Sequence, residues 1–184
     1  KNETNDLFTL QYVYDLGKSE VKEMGIADSY LDYLGTSDMT AADIKLAFYN
    51  LACSYEMTVD QDRVIVTLSG LAENMPKART LLESLLADAQ PDKEAYDGLV
   101  DDILRSRLNS KANQQSNFGH LQAYAFYGPN NPSKNILSEA ELRGLTPETL
   151  LQHISQLSAF QHRVFYYGPL SIDGASSTVA SLHK

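Results

Sequence analysis

Two short segments, 54–59 and 63–69, constrain the fold of this chain most strongly. In each of them apolar side chains occupy every second position, which is the period of a β-strand with one buried face. The connection from Asp60 to Asp62 is too short for a crossover, so the two strands must run antiparallel. The sequence therefore predicts a β-hairpin, and with it an antiparallel sheet.

Hydrophobic period, caps and turn residues predict the other elements. A strand over 7–16 alternates polar and apolar residues and ends at Gly17, and a last strand over 163–167 is closed by Gly168. Helical spacing of apolar residues, together with capping and breaking residues, predicts a series of helices and one loop. The helices are 20–34, 41–51, Pro76 through Leu86, Pro91 through Ser110, 117–127, Ser138 through Gly144 with capping-box spacing to Glu141, and one from Thr146-Pro147; the loop is 128–133.

The order of these elements predicts an α+β fold. One strand and two helices come first, then the hairpin, then a series of long helices and a closing strand. Strands that return as a hairpin, with helices grouped between them, indicate a mostly antiparallel sheet with helices packed on one face. Residues 1–170 are predicted to form a single domain. The tail, 171–184, is small and polar, and we expect it to be frayed.

Composition and charge exclude several functional classes. The chain has 184 residues, of which 43% are hydrophobic and 21% charged, as in ordinary globular proteins. Its net charge of −9, with 15 scattered Lys and Arg residues, argues against nucleic acid as a partner. Its apolar runs are far shorter than the roughly 18 residues that cross a bilayer, so no membrane partner is predicted. The chain opens close to its first strand, which predicts a fragment without a signal peptide.

The only cysteine, Cys53, excludes an internal disulfide and a cysteine-based zinc site. It lies at the end of an apolar helix pattern, so we expect a small buried hydrophobe rather than a nucleophile. One reduced cysteine fits the cytoplasm and the periplasm equally well. The sequence therefore leaves the cellular compartment open.

Three segments carry a resemblance to a known family. Gly25 opens a short helix that runs into Leu-Gly-Thr at 34–36, Ser-Gly-Leu-x-Glu-Asn-Met follows the hairpin at 69–75, and Tyr-Tyr-Gly-Pro-Leu stands at 166–170. In order and spacing they resemble the insulysin/pitrilysin family of inverted-zincin zinc metallopeptidases, over about residues 5–170. The resemblance implies one repeat of the mitochondrial-processing-peptidase-like metallohydrolase fold.

The same resemblance implies that this repeat is not catalytic. The family carries His-x-x-Glu-His on its zinc helix, with the two His as metal ligands and the Glu as general base. Counting back from Gly35, the His positions fall on Ile26 and Tyr30, and the Glu position falls on Ser29. None of these side chains can perform that chemistry. We therefore expect no catalytic, cofactor-binding or metal-binding residue in this chain, and zinc only in the parent protein.

The resemblance further implies a role and partners. The larger members of the family close two halves around a peptide, each half contains two repeats, and this chain resembles the metal-free repeat of the C-terminal half. The predicted function is a non-catalytic structural and substrate-chamber domain of a peptide-cleaving zinc metallopeptidase. Its partners would be the zinc-bearing half of the same protein and the peptide substrate in the shared chamber. The alternative is a stand-alone subunit that assembles with a zinc-bearing sister chain, and an unrelated α+β binding domain is a third hypothesis.

The remaining candidate ligands have structural explanations. None of the histidines is paired with another at i, i+4 spacing; they are His120, His153, His162 and His183. The family's third zinc ligand, a Glu, comes from the long helix that here carries Asp97, Asp101 and Asp102. Without histidines nearby, we interpret these carboxylates as a solvated acidic face rather than as part of a metal site.

Two further groups of side chains have both a functional and a structural interpretation. Asp28 and Asp32 lie one helical turn apart, and we interpret them as surface carboxylates rather than as an acid/base pair. Two tyrosine pairs can either present hydroxyls to a bound peptide or pack against the sheet; they are Tyr124 with Tyr127 and Tyr166 with Tyr167.

Overall fold

A computed structural model of the chain describes residues 2–131 and 134–182. The described residues form four β-strands and eight α-helices. In chain order these are β1 (Leu7–Tyr14), α1 (Met24–Leu31), α2 (Ala41–Asn50), β2 (Cys53–Val59), β3 (Val64–Leu71), α3 (Met75–Asp88), α4 (Lys93–Ala112), α5 (Gln114–Tyr127), α6 (Glu139–Gly144), α7 (Pro147–Gln156), β4 (His162–Tyr167) and α8 (Ile172–Leu182).

The four strands form one antiparallel sheet in the order β2-β3-β1-β4. Strand β1 has a neighbour on each side, because Tyr12 is paired with Val66 of β3 and with Val164 of β4. The predicted hairpin is confirmed as β2 and β3, whose ends Val59 and Val64 are paired. Within the described residues, β2 and β4 are therefore the edges of the sheet.

The helices cover one face of this sheet. Burial alternates along most of the two central strands, and the buried side chains on the face toward the helices are Phe8, Leu10, Tyr12 and Tyr14 of β1 and Val64, Val66 and Leu68 of β3; Val13 of β1 is buried as well. From the helices, Ala27, Leu82 and Ile154 meet this layer with at most 1% of their surface exposed. Burial of a side chain the size of Leu82 or Ile154 contributes roughly 1.5–3 kcal/mol to folding. The predicted α+β class, with helices packed on one face of the sheet, is confirmed.

Gly70 fixes the junction between the hairpin and the helix that follows it. Its backbone φ of +148° lies in a region that residues with a side chain rarely adopt. A Cβ at this position would lie 2.4 Å from the carbonyl oxygen of Ala52. The start of β2 and the end of β3 can approach this closely only because the residue has no side chain. The Ser-Gly-Leu segment after the hairpin therefore has a structural function in this chain.

Two helices begin with reciprocal capping boxes. The box at the start of α6 is the one that the sequence spacing predicts. Thr40 and Asp43 cap α2, while Ser138 and Glu141 cap α6. The Ser138 hydroxyl and backbone N–H, together with the ammonium of Lys22, lower the pKa of Glu141 to about 2. The Lys22 ammonium lies 3.1 Å from the Glu141 carboxylate, so the same carboxylate connects α6 to the segment before α1.

The C-terminal segment differs from the prediction of a frayed polar tail, because α8 forms there. The guanidinium of Arg79, which is fully buried on α3, donates to the carbonyl oxygens of Thr178 and Val179, both at 2.9 Å. Ala175 is buried as well. A cation near the last carbonyl groups of a helix also interacts favourably with the helix dipole. The partner that holds α8 lies about a hundred residues earlier in the chain, where no local pattern can reveal it.

Several boundaries also differ from the prediction; α5, for example, begins at Gln114 rather than at residue 117. The helix expected over 20–34 is shorter, since turns precede α1 and the Glu20 carboxylate accepts a hydrogen bond from the Gly17 N–H at 2.9 Å. The loop expected over 128–133 begins with a short 3-10 turn at 128–130. Pro132 and Ser133 of that loop lie outside the described residues.

Candidate functional site

The three positions that the resemblance assigns to the family's zinc helix lie on α1, and two of them are buried. Ile26 is 7% exposed and Tyr30 is fully buried, one turn apart on the face that packs into the core. Ser29 is exposed, and its backbone N–H donates to the Asp28 carboxylate at 2.7 Å. A zinc site in an enzyme needs three nitrogen, sulfur or carboxylate ligands at about 2 Å. Since Ile26 offers no donor atom and Tyr30 uses its hydroxyl elsewhere, these residues do not fit zinc.

The Tyr30 hydroxyl is hydrogen-bonded to the backbone of Asp92, the N-cap residue of α4. It donates to the carbonyl oxygen of Asp92 and accepts from the Asp92 N–H, both at 2.9 Å. Its ring packs edge-on against Tyr96 with the centroids 5.5 Å apart, and the Tyr96 hydroxyl donates to the carbonyl oxygen of Leu142 at 2.7 Å. Burial raises the pKa of Tyr30, which keeps the phenol protonated. At a position where the resemblance implies a histidine in the family, this chain thus has a link between α1, α4 and α6.

The three carboxylates predicted on the long helix lie on the exposed surface of α4, each beside a cation. Their ion-pair partners are Lys93 for Asp97 at 2.6 Å, Arg143 for Asp101 at 3.3 Å and Arg105 for Asp102 at 3.5 Å. Exposed pairs of this kind contribute little to stability. Throughout residues 2–131 and 134–182, no three His, Cys, Asp or Glu side chains are grouped so that they could hold a metal ion. The arrangement agrees with the interpretation of a solvated acidic face.

The histidines are distributed over separate elements. His120 is exposed on α5, and His153 is half-buried on α7. His162, at the start of β4, packs its ring against Tyr14 with the centroids 4.9 Å apart and against Tyr12 at 5.8 Å. The fourth candidate, His183, lies outside the described residues.

The remaining carboxylate and thiol candidates also occupy structural positions. Asp28 is half-buried, and burial raises the pKa of its carboxyl, whereas Asp32 is exposed. Cys53 is buried at the start of β2, and burial raises the pKa of its thiol as well. A thiol with a raised pKa is a poor nucleophile. The expectation of a small buried hydrophobe at this position is confirmed.

The predicted tyrosine pairs divide between packing and exposure. Tyr124 and Tyr127 are both more than half exposed on α5, which leaves their rings in contact with solvent. Tyr166 is half-buried, and its hydroxyl accepts from the Leu170 N–H at 3.2 Å, so it closes the turn after β4. Tyr167 is 57% exposed on the other face of the same strand.

A cleft that the sequence did not reveal lies between β1, α3 and α7. It has a volume of about 440 Å³, and its walls include Tyr12, Tyr14, Leu82, Ile154 and the carboxylate-bearing Glu83. Burial, followed by the nearby Tyr12 and Glu83, raises the pKa of Tyr14 to about 12. The walls come from three elements that are far apart in sequence. The alternation of β1 was the only local signal, and it indicates a buried face without showing a gap in the packing.

None of the helices in the described part of the chain is long and apolar enough to cross a membrane. The sequence matches no protein-family model and no curated protein. The fold, however, is that of the domains of M16 peptidases, the insulysin/pitrilysin family, so the predicted resemblance is confirmed at the level of the fold.

Three solved structures illustrate this similarity. The inactive domain of an M16 peptidase from Pseudomonas fluorescens aligns with 96% of this chain at a TM-score of 0.78 and 15% identity. The periplasmic protease PqqL from Escherichia coli aligns over the same share at a TM-score of 0.76 and 11% identity. A mutant of the ferredoxin protease FusC, in complex with Arabidopsis ferredoxin, gives the same three values.

The chain spans only part of these relatives. It covers 45% of the inactive-domain chain and 20% of PqqL and of FusC. At identities of 11–15% the similarity establishes the fold, and the activity of the larger proteins does not follow from it.

Proposed function

We propose that this chain is a non-catalytic domain of an M16-type zinc metallopeptidase, whose zinc and general base lie on another domain. The observation that carries the proposal is the chemistry of α1. In a fold shared with M16 peptidases, the positions that the resemblance assigns to the zinc ligands carry the buried side chains of Ile26 and Tyr30, and the position that it assigns to the general base carries Ser29. A buried isoleucine and a tyrosine bonded to a neighbouring helix support a structural use of this segment.

The role of such a domain would be architectural. It would form part of the wall of a peptide chamber, and the parent protein would cleave peptides there. Extended peptides bind to sheets by adding main-chain hydrogen bonds to an edge strand. Strand β4 is an edge of the described sheet and carries the exposed side chains of Val164, Phe165 and Tyr167, which could contact a peptide on either face. We assign the peptide contact to this edge.

The proposed partner is a zinc-bearing half on the same polypeptide. The matched chains are longer than this one, which supports its placement within a larger protein. A separate zinc-bearing sister chain is the alternative arrangement. Neighbouring coding sequence distinguishes the two, because a fused His-x-x-Glu-His half supports the first and a separate adjacent gene supports the second.

The zinc content of the purified chain tests the proposal directly. The chain is equilibrated with zinc, desalted and analysed by elemental mass spectrometry, and peptide hydrolysis is measured with and without a chelator. We expect zinc near zero per chain and no chelator-sensitive hydrolysis. One zinc per chain, with hydrolysis that a chelator abolishes, would contradict the proposal. In that case His120→Ala, His153→Ala and His162→Ala would locate the ligands.

A further inference from the structure

The cleft between β1, α3 and α7 contains a buried hydroxyl that the described part of the chain does not satisfy. Tyr14 lines this cleft and keeps 4% of its surface exposed. Its ring packs against His162, with the centroids 4.9 Å apart, but within residues 2–131 and 134–182 its hydroxyl has no hydrogen bond. The hydroxyl of Tyr12, on the same face of β1, lies beside the guanidinium of Arg79. Buried hydroxyls are normally satisfied, so the hydroxyl of Tyr14 indicates a partner from outside the chain.

Tyr14 supplies a hydrogen-bond donor to the cleft, and the other polar side chains supply acceptors. Burial is the largest cause that raises the pKa of Tyr14 to about 12, so the phenol keeps its proton at neutral pH. The hydroxyls of Thr80, Ser155 and Ser158 already donate to carbonyl oxygens three or four residues earlier, at 3.0–3.1 Å. Their oxygens, like the carboxylate of Glu83, can therefore only accept. A ligand group that both accepts and donates, such as a hydroxyl, matches this set.

The charges beside the cleft favour an uncharged ligand. Glu83, whose carboxylate belongs to the wall, is paired with the Arg79 guanidinium at 2.9 Å. The same guanidinium is fully buried and donates to two carbonyl oxygens of α8, so it is not available to an anion. A ligand carboxylate would be repelled by Glu83, and a ligand cation would compete with Arg79 for it. The cleft therefore matches neither sign of charge.

The remaining walls and the size of the cleft define the body of the ligand. Leu82 and Leu86 of α3, together with Ile154 of α7 and Leu157 directly after it, supply apolar surface. The volume of about 440 Å³ lies within the range of roughly 300–1,000 Å³ that is typical of small-molecule sites. At about 30 Å³ per molecule in the liquid, it equals the volume of about fifteen water molecules. A molecule of about ten to fifteen non-hydrogen atoms fits this space.

We propose that the cleft between β1, α3 and α7 binds a small uncharged molecule that has an apolar body and one hydroxyl group. The ligand hydroxyl accepts a hydrogen bond from Tyr14 and donates one to the Glu83 carboxylate. The body of the ligand packs against the leucine and isoleucine side chains of α3 and α7. The cleft does not include α1, so this proposal does not depend on whether the parent protein is a zinc peptidase.

Titration with para-propylphenol, followed through the amide chemical shifts of the chain in NMR spectra, measures this binding. The probe has an apolar body, one hydroxyl and about ten non-hydrogen atoms, and we expect a dissociation constant of about 0.1–1 mM. The largest shifts should occur in β1, α3 and α7. Propylbenzene, which lacks the hydroxyl, and para-propylbenzoate, which is an anion, should each bind about three- to tenfold more weakly.

Tyr14→Phe removes the hydroxyl and keeps the ring that packs against His162. It should weaken the binding of para-propylphenol about three- to tenfold and leave the dissociation constant of propylbenzene unchanged. The matched control is Tyr49→Phe on α2, at a position that is 80% exposed and outside the cleft, and it should alter neither value. Because the chain itself does not satisfy the Tyr14 hydroxyl, Tyr14→Phe should also leave the urea midpoint of the ligand-free chain unchanged or higher.

Several outcomes would overturn the proposal. One is the absence of binding by para-propylphenol, and another is a set of shifts that lies outside β1, α3 and α7. Equal weakening of both probes by Tyr14→Phe would show that the hydroxyl does not contact the ligand. A lower urea midpoint of this variant would show that the chain already satisfies the hydroxyl. None of these results bears on the zinc content of the chain, so the two proposals fail separately.

Discussion

Tyr30 contributes to stability both through its ring and through its hydroxyl. The ring is fully buried against Tyr96, and burial of a side chain of this size contributes roughly 1.5–3 kcal/mol. The hydroxyl satisfies the N–H and the carbonyl group of Asp92, at the point where α4 begins. Loss of either contribution should therefore weaken the packing of α1 against α4 and lower the free energy of unfolding.

Removal of the Tyr30 hydroxyl tests this assignment. Tyr30→Phe keeps the ring and removes both hydrogen bonds to Asp92, so we expect the free energy of unfolding to fall by about 1–3 kcal/mol. Urea denaturation measures the change. Tyr49→Phe, at an 80% exposed position on α2, is the control and should change stability by less than about 0.5 kcal/mol. Equal effects of the two substitutions would show that the hydroxyl of Tyr30 has no stabilising role.

Two glycines in different environments should respond oppositely to alanine. Gly70→Ala places a Cβ 2.4 Å from the Ala52 carbonyl oxygen at a φ of +148°, so we expect a loss of at least about 2 kcal/mol. Gly98 lies within α4 with no atom near its missing Cβ, and Gly98→Ala should stabilise the chain by roughly 0.5–1 kcal/mol. Thermal unfolding of both variants measures the difference. A stable Gly70→Ala variant would mean that the junction can relax.

At the scale of elements, two helices are held by charged groups from distant parts of the chain. Helix α8 depends on the buried guanidinium of Arg79, whose charge is balanced by the Glu83 carboxylate at 2.9 Å. Helix α6 depends on Glu141, which caps it and also pairs with Lys22. The first contact is buried and the second is exposed, so they should differ in how strongly they affect folding.

Replacement of Arg79 should release α8. Arg79→Leu removes both hydrogen bonds to the carbonyl groups of α8 and leaves Glu83 without this cation, so we expect a loss of about 3 kcal/mol. Hydrogen exchange should become faster over residues 172–182 than elsewhere in the chain. Arg105→Leu, which alters an exposed ion pair with Asp102 on α4, is the control. Unchanged exchange in α8 would show that its docking rests on apolar contacts alone.

The Glu141 cap predicts a pH dependence of stability. Its pKa is lowered to about 2 in the folded chain, below the value of about 4.3 for an unfolded glutamate. Its contribution is therefore present above about pH 4.3 and is lost as the pH falls toward about 2. We expect Glu141→Gln to lower the urea midpoint at pH 6 and to reduce its fall between pH 5 and 2. The control is Glu139→Gln, which changes the charge of the same helix by the same amount without removing the cap. In this variant the urea midpoint should fall between pH 5 and 2 as much as it does in the wild-type chain.

At the scale of the whole molecule, the accuracy of the sequence-based predictions follows the range of the interactions. The alternation of the strands, the short hairpin connection and the Ser138 cap can be recognised from neighbours within a few residues, and all three were predicted, although β1 ends at Tyr14 rather than at residue 16. Helix α8 and the cleft beside Tyr14 depend on elements that are far apart in the chain, and the local patterns did not reveal either one. The resemblance identified the fold, but it could not show that the large side chains of α5 point outward.

The strand order also has a consequence for how this chain is made. Strand β1 lies between β3 and β4, and the ion pair of Asp15 with Arg163, at the ends of β1 and β4, joins residues 148 positions apart. When the hairpin has been translated, β3 is available to pair with β1. The other neighbour, β4, becomes available only after α3 to α7 have been translated as well. During that interval one side of β1 has unpaired backbone groups, which is the state in which nascent sheets aggregate. Chaperone binding to β1 should thus be strongest just before β4 is translated.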